Sequence, residues 1–170
     1  MLRDEEIKRL TSYIKGLGLK VVFSSSVKES GYWSLDNSEI VIGTKSNQSK
    51  METVLSMIHE IGHALHNIHE KNREEDPKFA DAIDRVDEAA EQGTDAGKRA
   101  RKNLLNNEIA GSKYWHSIYR ETDMRFPIWR LDAAIEFDVW QYEVFYEKGK
   151  YPTKKENREK IKELKEKYRK

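Results

Sequence analysis

The chain has no cysteine among its 170 residues. A disulfide framework is therefore excluded, and so is any zinc site built on thiolates. No apolar run approaches the roughly 20 residues that cross a bilayer as a helix. The opening residues, Met1-Leu2-Arg3-Asp4-Glu5-Glu6, place acids where a secretory signal needs bases and then apolar side chains. These absences set the expectation of a cytoplasmic protein with no membrane partner. A charge excess is also missing: the formal net charge is +1, so global electrostatics names no partner. No internal repeat or low-complexity tract is visible.

What the chain does have is charge and aromatic rings. Charged residues make up 36% and the hydrophobic set 37%, with four Trp, eight Tyr and five Phe to build a core. That composition argues against chain-wide disorder, and the length suits one domain. Charge is uneven along the chain. Residues 70–92 carry nine acids against four bases, and residues 154–170 carry nine bases against four acids. In the second stretch the signs alternate, as on a solvated helix, and no nucleic-acid partner is expected.

The periodicities predict an α+β fold. Residues 4–15 read as an amphipathic helix with Ile7, Leu10 and Ile14 on one face, ended by Gly16 and Gly18. Lys20-Val21-Val22-Phe23 is strand-like. Residues 31–35 and 39–43 flank Asp36-Asn37-Ser38, a hairpin signal, which makes a small sheet of about three strands. Ser49 and Glu52 have capping-box spacing and open a helix over roughly 50–70, with Met51, Val54, Leu55, Ile58, Leu65 and Ile68 at helical intervals. Residues 71–103 read as a polar insertion with one weak helix after Pro77. Helix resumes over 98–120. Pro127 precedes an aromatic helix over 128–148, expected to turn Ile128, Leu131, Ile135, Val139, Tyr142 and Tyr146 inward. Thr153 and Glu156 then cap a final charged helix with the stripe Ile161, Leu164 and Tyr168.

Chemistry concentrates at His59-Glu60-Ile61-Gly62-His63. Histidines four apart lie one turn from each other on one helical face, so both imidazoles can converge on one cation. Zn2+ suits imidazole and tolerates the open coordination that catalysis needs. Glu60, beside the first histidine, can reach a metal-bound water as general base without itself binding metal. Gly62 in mid-helix costs about 1 kcal/mol relative to Ala, so a close approach is expected there. The plain alternative is a pair of surface histidines on an ordinary core helix.

The string Ser56-Met57-Ile58-His59-Glu60-Ile61-Gly62-His63-Ala64-Leu65-His66 resembles the active-site helix of zincin metallopeptidases, and His-Glu-x-Gly-His-Ala-Leu-His is similar to that of thimet-oligopeptidase-like enzymes. The order helix, small sheet, motif helix, later helix resembles the minimal zincin domain of small bacterial and phage-type peptidases. The similarity is sharp over 59–66 and architectural elsewhere. It implies a single metallopeptidase domain over 1–153, followed by a charged helix over 154–170. It also implies a peptide or protein substrate, held extended along a strand at 31–35 or 39–43.

A third protein ligand is needed. Asn107-Glu108-Ile109-Ala110-Gly111-Ser112-Lys113-Tyr114 resembles the third-ligand helix of thermolysin-like gluzincins, where an Asn-Glu pair is followed by small, polar and aromatic residues. That resemblance makes Glu108 the expected ligand, with Gly111 allowing close approach and Ser112 supporting a histidine. His69 has metzincin spacing, but His66 stands where that family needs a turning glycine, and on an unbroken helix His69 points about 80° away from His59. Glu88 and Glu136 remain alternatives. His66 lies about 10 Å along the helix from His59, on the same face, within reach of a substrate. His116 and Tyr119, with Tyr114 behind them, are candidate oxyanion donors. The competing functional reading is a catalytically silent zincin shell that binds a partner protein.

Overall fold

Strand-prone runs near the N-terminus and amphipathic helices after them fold as the periodicities predict. A computed structural model describes residues 2–27, 30–34, 36–44, 48–69 and 93–169. The elements are α1 (Leu2–Gly16), β1 (Lys20–Ser24), β2 (Gly31–Ser34), β3 (Glu39–Gly43), α2 (Lys50–His69), α3 (Asp95–Ser112), α4 (Trp115–Glu121), α5 (Ile128–Lys148) and α6 (Lys154–Tyr168). The class is α+β: one three-stranded mixed sheet and a mainly helical remainder. The expected helix after Pro77, and Glu88 with it, lie outside the described residues.

The described chain divides into two compact units, Met1–His66 with Gly111–Pro127, and Asn67–Ala110 with Ile128–Lys170. In the first, the sheet order is β1-β3-β2. β2 and β3 form the expected antiparallel hairpin, turning through Ser38 at a φ of 49°. β1 pairs parallel to β3, so the link from β1 to β2 must pass the end of β3. β3 is therefore the central strand, and its Ile40, Val41 and Ile42 are buried. Glu39–Gly43 has a strand on each side and cannot receive an extended substrate; of the two expected substrate strands, only β2 lies at an edge.

α1 buries Leu10 and Ile14 and is tied to the segment after α4. The buried Glu6 accepts the Arg125 backbone N–H at 3.1 Å and pairs with Arg3. Arg9 pairs with Asp123 at 2.7 Å, and the Tyr13 hydroxyl donates to Glu121 at 2.7 Å. A carboxylate as enclosed as Glu6 is tolerable only because both oxygens are satisfied.

In the second unit, α5 begins and ends where the aromatic pattern predicts, but its inward face differs. Leu131, Val144 and Phe145 are buried, while Ile128 is exposed at the helix start. The first-turn position carries it off the packed face. Phe145 stacks on Tyr151 with ring centroids 4.2 Å apart. α6 opens with the expected capping box, in which the Glu156 carboxylate, held down to about 2 by the Thr153 backbone and hydroxyl, completes the reciprocal bond. α6 is anchored through Leu164 and through Glu136 of α5, which meets Lys160, Lys167 and the Tyr168 hydroxyl.

The Lys167 hydrogen bond, with Tyr168 helping against partial burial, holds the Glu136 pKa below 4.5. A depressed carboxylate stabilises above its unfolded pKa, and that stabilisation is lost as pH falls through the folded value. Acidification below the ordinary carboxylate range is thus expected to loosen α6 first, as is Glu136→Gln at neutral pH. Hydrogen exchange resolved by segment checks this: α6 amides should exchange faster while α1 and the sheet do not change.

Candidate metal centre

α2 starts where its sequence says. Glu52 N–H donates to Ser49 Oγ at 3.2 Å and Ser49 N–H to Glu52 Oε2 at 2.6 Å, so the capping box is closed on both sides. The helix then buries Val54, Met57, Ile58, Ile61, Ala64 and Leu65. That stripe fixes its rotation and places the two motif histidines together.

His59 and His63 turn their Nε2 atoms toward each other at 3.2 Å, with ring centroids 4.6 Å apart and planes at 72°. Two imidazole nitrogens, each about 2.0–2.1 Å from a tetrahedral zinc, would stand roughly 3.3–3.4 Å apart. The observed spacing fits a shared cation. It also fits a ring-to-ring hydrogen bond, which requires a proton that a metal would displace. The buried Glu60 places Oε1 3.8 Å from His59 Nε2, beside the same nitrogen that faces His63. Glu108, also buried, completes the group. One ligand atom from each of His59, His63 and Glu108 lies within 4.8 Å of the others, an arrangement that could hold a metal ion.

Two glycines and a tryptophan set these rings. A Cβ on Gly62 would sit 2.6 Å from the Gly111 carbonyl oxygen and 3.1 Å from the Trp115 indole. A Cβ on Gly111 would meet His63 Nδ1 at 2.9 Å and Cε1 at 3.0 Å. The expected close approaches at Gly62 and Gly111 are therefore real, and Gly111 lies one turn after Glu108 on α3, on the same helical face. Trp115 is buried and meets His59 edge-on, with ring centroids 5.6 Å apart at 77°. Sequence reasoning missed Trp115. Its helical spacing alone cannot distinguish a ring packed on a ligand from a ring packed in a core.

The other expected site residues are more scattered. α2 runs unbroken through His66 to His69, which is exposed at the helix end, so the turn that would aim His69 at the metal is absent. Glu136 is engaged by Lys160, Lys167 and Tyr168 of α6. The expected helix over 98–120 is two helices, because the chain tightens into a turn where Tyr114 N–H donates to Gly111 O at 3.1 Å. His116 and Tyr119 both lie on α4, half-buried. The Tyr119 hydroxyl donates to the Phe126 carbonyl, and its ring packs on Phe126 at 5.0 Å. Tyr114 precedes α4 and Ser112 ends α3; both are half-buried. Gly31, which opens β2, lies against Glu60: its Cβ would be 3.3 Å from Glu60 Cγ. The edge strand thus begins beside the motif glutamate.

No family model, curated protein or solved structure matches the chain. The case for a metal centre rests on the motif and its geometry.

In a free helix Gly62→Ala would gain about 1 kcal/mol. Here the new methyl meets a backbone carbonyl that cannot rotate away, and overpacking of about 1–3 kcal/mol should win. A lowered melting temperature for Gly62→Ala is the expected sign; a raised one would show that the approach is not tight. Gly111→Ala displaces the His63 ring instead. It should cost roughly tenfold or more in metal affinity by calorimetric titration, with a smaller effect on folding.

Proposed function

We propose that the chain is a zincin-type metallopeptidase, with zinc held by His59, His63 and Glu108 and with Glu60 as general base. The observation that carries this reading is the convergence of both Nε2 atoms at 3.2 Å with the Glu60 carboxylate 3.8 Å from one of them. Two imidazoles and a carboxylate are a donor set of catalytic zinc, leaving a fourth position for water. The resemblance of residues 59–66 to zincin active-site helices points the same way. Zinc in such a site supplies a Lewis acid and lowers the pKa of its water to about 7.

The chain's own residues do the rest. Glu60 accepts the proton of the attacking water and returns it to the departing amine. Trp115 and Gly111 hold the two imidazoles in place. β2 offers its outer edge to an extended peptide, which would run past Gly31 and so past Glu60. His116 is the candidate oxyanion donor. Tyr119 would first have to release the Phe126 carbonyl.

Metal content tests the site. Purified protein should hold one zinc per chain. His59→Ala, His63→Ala and Glu108→Ala should each weaken zinc by at least the 10–100-fold typical of losing a supporting partner, while His69→Ala leaves it unchanged. Normal zinc affinity in Glu108→Ala would remove it from the ligand set. Glu60→Gln should keep zinc and lower peptide turnover by about 10²–10⁴-fold. If zinc binds and the wild type cleaves none of a broad peptide library, the silent partner-binding reading replaces the peptidase.

A further inference from the structure

The terminal helix carries a second surface, unrelated to the metal centre. Along the chain its charges alternate in sign, but winding sorts them by face. At 100° per residue, Lys154, Lys155, Arg158, Lys162, Lys165 and Arg169 all fall within an arc of about 100°. All six are exposed. Glu156, Glu159, Glu163 and Glu166 gather in a neighbouring arc of about 80°. The remaining face is the packed one, with Leu164 buried and Lys160, Lys167 and Tyr168 bound to Glu136.

Helix stability does not explain this sorting. Only Lys155–Glu159 and Lys162–Glu166 pair across the border, at 4.0 and 3.9 Å with both partners largely exposed, contacts worth little. Among the described residues no ion pair reaches Lys154, Arg158, Lys165 or Arg169. Their neighbours one turn away are like charges: Lys154 with Arg158, Arg158 with Lys162, Lys165 with Arg169. Such pairs destabilise a helix. Lys165 and Arg169 stand at the helix end that favours positive charge, but Lys154, Lys155 and Arg158 stand at the end that disfavours it, and that part of the row calls for an anion outside the helix.

We infer that this row docks along the phosphate backbone of duplex nucleic acid, without reading its sequence. Bases recur about once per turn, near 5.4 Å, over roughly 22 Å of helix, a regular line of charge for a regular line of phosphates. Lys162, Lys165 and Arg169 also line one open groove, three bases to the single acid Glu166. Other polyanions fit less well. A bilayer needs an apolar face to insert, and α6 offers one exposed apolar side chain, Ile161, with Leu164 buried and the Tyr168 hydroxyl held by Glu136. A protein partner needs a buried aromatic or aliphatic anchor, and the basic row has none. Single strands need stacking rings, and the one tyrosine of α6 faces Glu136.

The test is fluorescence anisotropy of a labelled random-sequence DNA duplex titrated with the 170-residue chain over a salt series. Wild type should bind at low salt. The slope of log K against log salt should lie between about −3.6 and −5.4, for four to six phosphate contacts. Arg158→Gln/Lys165→Gln/Arg169→Gln should flatten the slope by about 2.7. An equal charge change at the exposed Lys8, Lys15 and Lys20 should leave it unaltered. Arg158→Lys should bind as wild type, and the Glu60→Gln protein should too, since the row owes nothing to the metal reading. The inference is overturned by absence of binding at low salt, by an unaltered slope in the α6 triple variant with its helicity intact, by equal loss in the control variant, or by tighter binding to phosphatidylserine vesicles or polyglutamate than to the duplex.

Discussion

The bare backbone at Gly62 is the constraint on which the geometry of the candidate metal centre depends. It lets the Gly111 carbonyl and the Trp115 indole press onto α2 between the two histidines. The cost is about 1 kcal/mol of helix propensity. Burying an indole of about 200 Å² returns roughly 5 kcal/mol at 25 cal/mol per Å², so the exchange favours the notch severalfold. What it also produces is order: one ring against His59 and one glycine against His63. Imidazoles confined in this way keep their Nε2 atoms convergent, where free rotamers would scatter them.

Among the described residues three glutamates are buried, Glu6, Glu60 and Glu108, and their surroundings differ. Glu6 receives a backbone N–H and a guanidinium, an arrangement that ties α1 to the segment after α4. Glu60 lies beside an imidazole nitrogen and against a glycine at the mouth of an edge strand. Glu108 has a carboxylate oxygen within 4.8 Å of a ring nitrogen of each histidine. Burial alone would rank Glu6 first among functional candidates, since it is the most enclosed of the three. Its partners account for that burial within the fold: Arg3 meets one oxygen and the Arg125 backbone N–H the other.

Local rules made much of this legible in the sequence. The capping boxes at Ser49 and Thr153, the hairpin, and the limits of α5 need no tertiary contact to be read. Neither does the placing of His59 and His63 on one face. The parallel pairing of β1 with β3 was not legible, because register between distant strands is set by what covers them. Ile128 read as core because periodicity ignores where a helix meets solvent. The break between α3 and α4 depends on a turn at Gly111 that the apolar pattern on either side hides. Trp115 lay in plain view as one aromatic among several. Only the notch reveals which ring it faces.

The clasp between Glu6 and Arg125 spans 119 positions. Synthesis proceeds from the N-terminus at about 5–20 residues per second, so α1 exists for roughly 6–24 s before its partner is made. During that interval the Glu6 carboxylate lacks its backbone donor, while β1, against which α1 packs in the finished unit, is already made. The N-terminal helix can therefore dock early on its sheet, but the charge buried at Glu6 is matched on both oxygens only when residue 125 arrives.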